Sequence, residues 1–346
     1  MNKQTISKVL SLLFLLAIFV TAVIVNSTKP RIMILHSYHP DYAWTREIDV
    51  GLRRVTDSWL DYTVSWHYMD TKKHKDKGWL NRAGIIARRA IDRADPKVLI
   101  AIDDFAQSLA AKYYVNKPGI NIIFGGVNGT VDAYNYNGAK NVTGIFEHKQ
   151  LQPIKETILT IERGVANASS HPKLLYLMDP SASIKRGRAK IDNFAWKPIQ
   201  YEGSVIAQDF EHWKELIVSK AKEVDYIIVS NYRKLPKGPK EKAFMNPTEV
   251  MSWTEANSPV PVIGINSFNV EDGAMLSVGV SPYEQGEVVA KMAEKILEQK
   301  ISADRIPFQK NKMYIIALRR EALQKRNIAL PTIYEAFGRA TEHYIE

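Results

Sequence analysis

The chain has no cysteine, which excludes a disulfide framework, a thiolate metal site and a lipid-bearing lipobox. It also lacks the short motifs that carry common chemistries. There is no G-x-S-x-G elbow, no G-x-x-x-x-G-K-[ST] loop, no G-x-G-x-x-G fingerprint and no H-E-x-x-H helix. These absences weigh against a serine hydrolase, a P-loop enzyme, a dinucleotide oxidoreductase and a zincin. They lower the odds of an enzyme, and no catalytic residue or cofactor is assigned. A nucleic-acid footprint is also missing. The formal charge is +10, but basic residues alternate with acidic ones in stretches such as Arg82–Arg93 and Lys214–Lys222, the pattern of solvated helix faces.

Long uncharged runs are scarce, with one conspicuous exception. Val9–Val25 carries no charge and follows Lys3 and Lys8, with small residues Ala22 and Ser27 at usable cleavage points. Residues 1–27 are read as a signal peptide, with an uncleaved membrane anchor as the alternative. Either reading places the remainder outside the cytoplasm, in the periplasm.

What is present is average globular composition, 45% hydrophobic and 24% charged over 346 residues, enough for two domains. Strand-like and helix-like periods alternate. Arg31–Leu35 precedes a helix at Thr45–Leu60, and Tyr62–Tyr68 precedes one at Leu80–Ala94. Val98–Ile102 leads to a helix near Phe105–Tyr114, and Ile120–Phe124 ends at Gly125-Gly126. After a Gly/Asn/Asp/Tyr-rich loop at 129–141 the alternation restarts through Lys173–Met178, Ile199–Ile206, Asp225–Val229 and Val260–Ile265. A strong helix follows Ser281-Pro282, and a last strand spans Met313–Leu318. Such order implies α/β architecture, with two Rossmann-like lobes built on parallel sheets.

Polar groups collect where the strands stop, the end at which open parallel sheets bind ligands. In the first lobe these are Ser37, Tyr38, Asp103, Asp104, Gly126 and Asn128, joined by Trp44 from the polar and aromatic loop HSYHPDYAW. In the second they are Asp179, Ser181, Asn231 and Asn266. Two roles are open for each: ligand contact, or helix cap. Tyr38, Tyr42 and Trp44 likewise suit stacking on a ligand or packing of the first helix. Asp103 and Asp104, taken as adjacent strand positions, face opposite ways and so do not form a catalytic dyad. A small molecule bearing an amine, such as an amino acid, suits that acidic pair. His36-x-x-His39 with Asp41 lacks a further ligand, and no metal is expected.

Four stretches carry a resemblance: AIDDFA at 101–106, INIIFGGVN at 120–128, NVTGIFE at 141–147 and GAMLSVGVSPYEQG at 273–286. With the closing IIALRREALQKRNIALP, they make the chain similar to the periplasmic substrate-binding proteins of ABC transporters, of the type I periplasmic-binding-protein fold. The opening ILHSYHPDYAWT also resembles extracytoplasmic sensing regions of two-component histidine kinases. The resemblance implies one lobe of residues 31–145 plus 282–308, another of 146–281 plus 309–331, and a tail at 332–346. Hinge crossovers would join the lobes, which would close on a solute in an interlobe cleft. It implies an ABC permease as partner, or a membrane sensor if the protein signals.

Overall fold

Parallel strands buried on both faces need helices on each side, and the apolar runs after residue 30 obey that rule. The computed structural model describes residues 3–74, 76–165, 168–239, 241 and 243–346. The chain divides into two compact units, Met1–Glu147 with Pro282–Asn311 and His148–Ser281 with Lys312–Glu346. It passes from one to the other at 147–148, 281–282 and 311–312.

Helix α1 (Lys3–Thr28) precedes the first sheet. Its stretch Leu10–Thr28 has a mean hydropathy of 2.4 and no buried residue, and is long and apolar enough to cross a membrane. Signal sequences share these properties.

The first unit runs β1 (Arg31–His36), α2 (Ala43–Thr56), β2 (Thr63–Tyr68), α3 (Lys77–Ala94), β3 (Val98–Ile102), α4 (Asp103–Leu109), β4 (Asn121–Val127) and β5 (Val142–Phe146). The second opens with α5 (Leu151–Arg163), β6 (Lys173–Met178), α6 (Ala182–Asp192), β7 (Gln200–Ile206) and α7 (Phe210–Lys220). It continues with β8 (Tyr226–Val229), α8 (Pro247–Asn257), β9 (Val262–Gly264), α9 (Phe268–Glu271) and β10 (Leu276–Val280). Helix α10 (Pro282–Leu297) and β11 (Gln309–Lys310) return to the first unit. Strands β12 (Tyr314–Arg319) and β13 (Tyr344–Ile345), with α11 (Arg320–Lys325) and α12 (Thr332–Ala340) between them, complete the second.

In the first unit six parallel strands take the order β11-β5-β4-β3-β1-β2. Alternate side chains go to opposite faces. Met33, Leu35, Leu99 and Ala101 meet Ala83, Ala87 and Ile91 of α3 and Ala106 of α4. Ile32, Ile34, Ile100 and Ile102 meet Ile48 and Leu52 of α2 and Val289, Met292 and Ala293 of α10. Helices α2 and α10 cross backbone to backbone at Gly51 and Gly286. A Cβ at Gly51 would lie 2.2 Å from the Tyr283 carbonyl oxygen, and one at Gly286 would lie 2.2 Å from that of Ile48. Only glycine permits this approach.

The second sheet has the order β13-β12-β10-β9-β8-β6-β7, parallel except that β12 runs antiparallel to β10. Leu174, Tyr176 and Met178 pack with Ile154 and Ile158 of α5, while Leu175 and Leu177 pack with Trp213 and Ile217 of α7 and Met251 of α8. Residues 332–346, expected only as an amphipathic tail, contribute α12 and the strand β13, which pairs with β12.

Three local readings need correction. Asp103 and Asp104 are not strand residues: they open α4, and Asp103 has φ +66°. Strand β4 continues through Gly125 and Gly126 to Val127, because pairing with β3 reaches Gly125 and pairing with β5 resumes at Val127 opposite Phe146. Helix α8 was not anticipated although its start signal is explicit, with Asn246 accepting from the Thr248 N–H at 2.9 Å and proline in the first turn.

Candidate functional site

The site in the first unit begins with a buried hydroxyl. Ser37 follows β1 and is fully enclosed. Its Oγ donates to the Ile102 carbonyl at 2.7 Å and accepts from the Ala106 N–H at 2.7 Å. Its own carbonyl accepts from Thr71 N at 3.0 Å and from Thr71 Oγ1 at 2.6 Å. Ser37 was expected as a ligand contact. With its hydroxyl engaged on both sides and no exposed surface, it instead pins three connections together: those after β1, β2 and β3.

That staple holds Asp103 in place. The residue sits in the left-handed region, which short polar side chains tolerate at modest cost. The residue is only 3% exposed. Oδ1 accepts from Trp44 Nε1 at 3.2 Å, and Oδ2 is buried without a hydrogen-bond partner among the described residues. Gly126, with φ +67°, lies against this carboxyl, and a Cβ there would come within 3.1 Å of Asp103 Oδ1. Burial first, and then the charge of Glu147, push the Asp103 carboxyl well above the usual carboxylate range, while Lys72 opposes the shift.

Around it stand aromatic and acidic groups. The half-buried Tyr38 and Tyr42 meet edge to face at 5.5 Å. The Lys72 ammonium lies over both rings, 3.7 Å from the Tyr42 centroid and 4.4 Å from that of Tyr38. Burial, then the Asp103 charge, raise the Tyr38 phenol well above its ordinary value. Asp104 accepts from the Tyr134 hydroxyl at 2.7 Å, and the exposed Asn128 donates to Glu147 Oε2 at 3.0 Å. Gln285 of α10 is fully buried. It accepts from the Gly126 N–H at 2.8 Å and donates to the Phe146 carbonyl at 3.2 Å, so α10 fixes the ends of β4 and β5.

The fold thus gathers Tyr38, Trp44, Asp103 and Gly126 at one corner, with Asp104 and Asn128 on neighbouring connections. Lys72, Tyr134, Glu147 and Gln285 were not foreseen as members. Lys72 sits in the charged run TKKHKDK, where nothing local distinguishes a cage-seated ammonium from a solvated one.

In the second unit the strand ends form their own network. Asp179 is fully buried and committed: Oδ1 accepts from Ser181 N and Oγ, and Oδ2 from the Lys234 N–H. Asp179 and Ser181 were expected as ligand contacts, and here they brace the turns after β6 and β8. Asn231 accepts from the Arg233 N–H through Oδ1 at 3.1 Å. Asn266 accepts from Lys149 Nζ at 2.5 Å and donates to the Ser230 carbonyl at 2.7 Å. Arg233 stacks on Phe268, 4.1 Å from its centroid, and pairs with Asp272 at 2.9 Å.

The histidines of the first loop diverge. His36 Nε2 lies 2.8 Å from Asp49 Oδ1, off the line of a hydrogen bond, in the core beside Trp66 and Tyr68, whereas His39 faces Asp70 at 3.5 Å. Among the described residues no group of three or more His, Asp or Glu side chains is arranged to hold a metal ion.

Comparison with known proteins adds to this geometry. Residues 210–340 match the family model of ABC transporter substrate binding proteins. No curated protein matches the chain. Among solved structures, the ligand-free, open form of a substrate-binding protein with adhesive properties from Clostridium difficile aligns with a TM-score of 0.67 and 15% identity, over 88% of this chain and 96% of that one. An ABC domain from Streptococcus pneumonia in complex with L-Trp aligns with a TM-score of 0.56 and 16% identity, over 88% and 98%. An arabinose-binding protein from Geobacillus stearothermophilus gives 0.55 and 12%, over 86% and 99%. At such identities the likeness establishes the fold, that of the type I periplasmic binding proteins. The chain resembles the substrate-binding proteins of ABC transporters.

Proposed function

We propose that this protein is an extracytoplasmic solute-binding protein that captures a small molecule at the strand ends for an ABC importer. The match over residues 210–340 and the fold support the class. The observation that supports this site is Asp103, a buried carboxyl whose second oxygen has no hydrogen-bond partner among the described residues, at the ligand-binding end of a parallel sheet. Such a group invites a donor from outside, and an amine-bearing molecule such as an amino acid supplies one. A solute that binds a closed form better than an open one shifts the protein toward it by that differential affinity, and closure is what a permease reads.

A thermal-shift screen of amino acids, sugars and organic anions tests the reading. A ligand at about 100 times its Kd adds about 2.7 kcal/mol of stability, a rise of several degrees in melting temperature. Asn128→Ala and Asp103→Asn are expected to weaken binding of the compound found while leaving the protein folded. Unchanged affinity in both variants would remove the site from the first unit.

A second reading, a ligand-sensing subunit acting on a membrane signalling partner, is favoured by α1, which is long enough to remain as an anchor. Intact-mass measurement of the protein from its native host separates the two. A retained leader supports tethered sensing, and loss of about 27 residues supports a diffusing carrier.

A further inference from the structure

The cation seated on the tyrosine rings belongs to the protein itself. Two aromatic faces with a carboxyl beside them form a surface that attracts organic ammonium groups. Lys72 reaches that surface from the loop after β2. Its neighbour Thr71, 1% exposed, is fastened to Ser37 by both its N–H and its hydroxyl. The backbone is therefore fixed immediately before Lys72, and the ammonium can leave the rings by side-chain rotation alone, on a flexible four-carbon stem. Beside the rings, Asp103 keeps one oxygen on Trp44, and its other oxygen is buried with no hydrogen-bond partner among the described residues.

We propose that Tyr38, Tyr42 and Asp103 form an organic-cation subsite, and that Lys72 is its tethered occupant, displaced when a ligand ammonium binds. The inference rests on the first-unit site being the ligand site and adds the class of ligand and a built-in competitor. An intramolecular competitor lowers apparent affinity by the fraction of time the subsite is open. It also discriminates. A weakly held cation does not dislodge the lysine, and a neutral or anionic group gains nothing from taking its place.

The test is calorimetric titration of the full protein and of Lys72→Met, with phenethylamine and choline as cationic probes and 2-phenylethanol as the uncharged control. Methionine keeps most of the stem length and removes the charge. Lys72→Met is expected to bind both cations at least tenfold tighter, the gain that corresponds to Lys72 filling the subsite about nine-tenths of the time. Binding of 2-phenylethanol should not change, and adding Tyr42→Leu should abolish the gain. A second measurement needs no variant. Acetylation of Lys72, referenced to the exposed Lys73, should increase when either cation is added. Cation binding that is unchanged or weakened in Lys72→Met, or absent from both forms, overturns the proposal. A sugar or organic anion whose binding is lost in Asp103→Asn would leave the ligand site standing and overturn the cation subsite alone.

Discussion

Replacing Gly286 by alanine should cost the first unit about 3 kcal/mol, near the upper end of overpacking penalties. The new Cβ would stand 2.2 Å from the Ile48 carbonyl oxygen and 2.6 Å from the Leu52 nitrogen. These are backbone atoms of α2, so no side chain can rotate away. Relief requires α10 to move off α2, which opens the layer where Ile48 and Leu52 meet Val289 and Met292. Alanine's helix propensity favours the substitution by about 1 kcal/mol over glycine, and loses to the clash. The expected readout is a fall of about 6–12 °C in melting temperature, given 2–4 °C per kcal/mol for units of this size. Gly187→Ala on α6, where a Cβ meets nothing within 4 Å among the described residues, is the control and should be neutral or slightly stabilising. Equal melting temperatures for Gly286→Ala and wild type would mean the helices do not cross at this point.

Asp103→Asn should move stability and affinity in opposite directions. The Asp103 carboxyl has a folded-state pKa raised above its unfolded value, chiefly by burial. Between those two values the folded state holds more protons than the unfolded one. Stability therefore falls as pH rises through that window, and the wild type bears a growing cost as pH rises above the ordinary carboxylate range. Asparagine removes the charge, tolerates the left-handed conformation and can still accept from Trp44. It should raise stability at neutral pH, because the buried ionised carboxyl is replaced by a neutral amide. The advantage should shrink as pH falls toward the ordinary carboxylate value and vanish below it, where the carboxyl is protonated in both states. Affinity for an ammonium ligand should drop by about 2 kcal/mol or more, roughly thirtyfold, since a buried charge partner is lost. Melting curves from pH 4 to 8, with titration of the ligand found by screening, check both arms. A variant less stable than wild type at neutral pH would show that attraction from Lys72 outweighs burial.

These predictions differ in how far they can be seen without the fold. The strands RIMIL and VLIAI are legible because a buried parallel strand must be apolar throughout, and their alternation with helices announces two α/β layers. Strand-end placement also singles out Asp103, Gly126 and Asn128, since parallel sheets have one ligand-binding end. The conformation of Asp103 was misread. An acidic pair after an apolar run looks the same whether it ends a strand or opens a helix, and the Ser37 hydroxyl, 66 residues earlier, decides between them.

Local order and class therefore follow from the sequence alone: periodicity and composition set strand, helix, the apolar N-terminal segment and the α/β alternation, because these depend on neighbours a few residues away. The tertiary structure decided the rest. Only folding turns Ser37 and Asp179 from apparent ligand contacts into braces, by surrounding them with partners. It alone brings Lys72 onto Tyr38 and Tyr42, and Gly51 onto Gly286 across 235 positions of chain. Such contacts are chosen by packing between distant segments, and no local propensity encodes them.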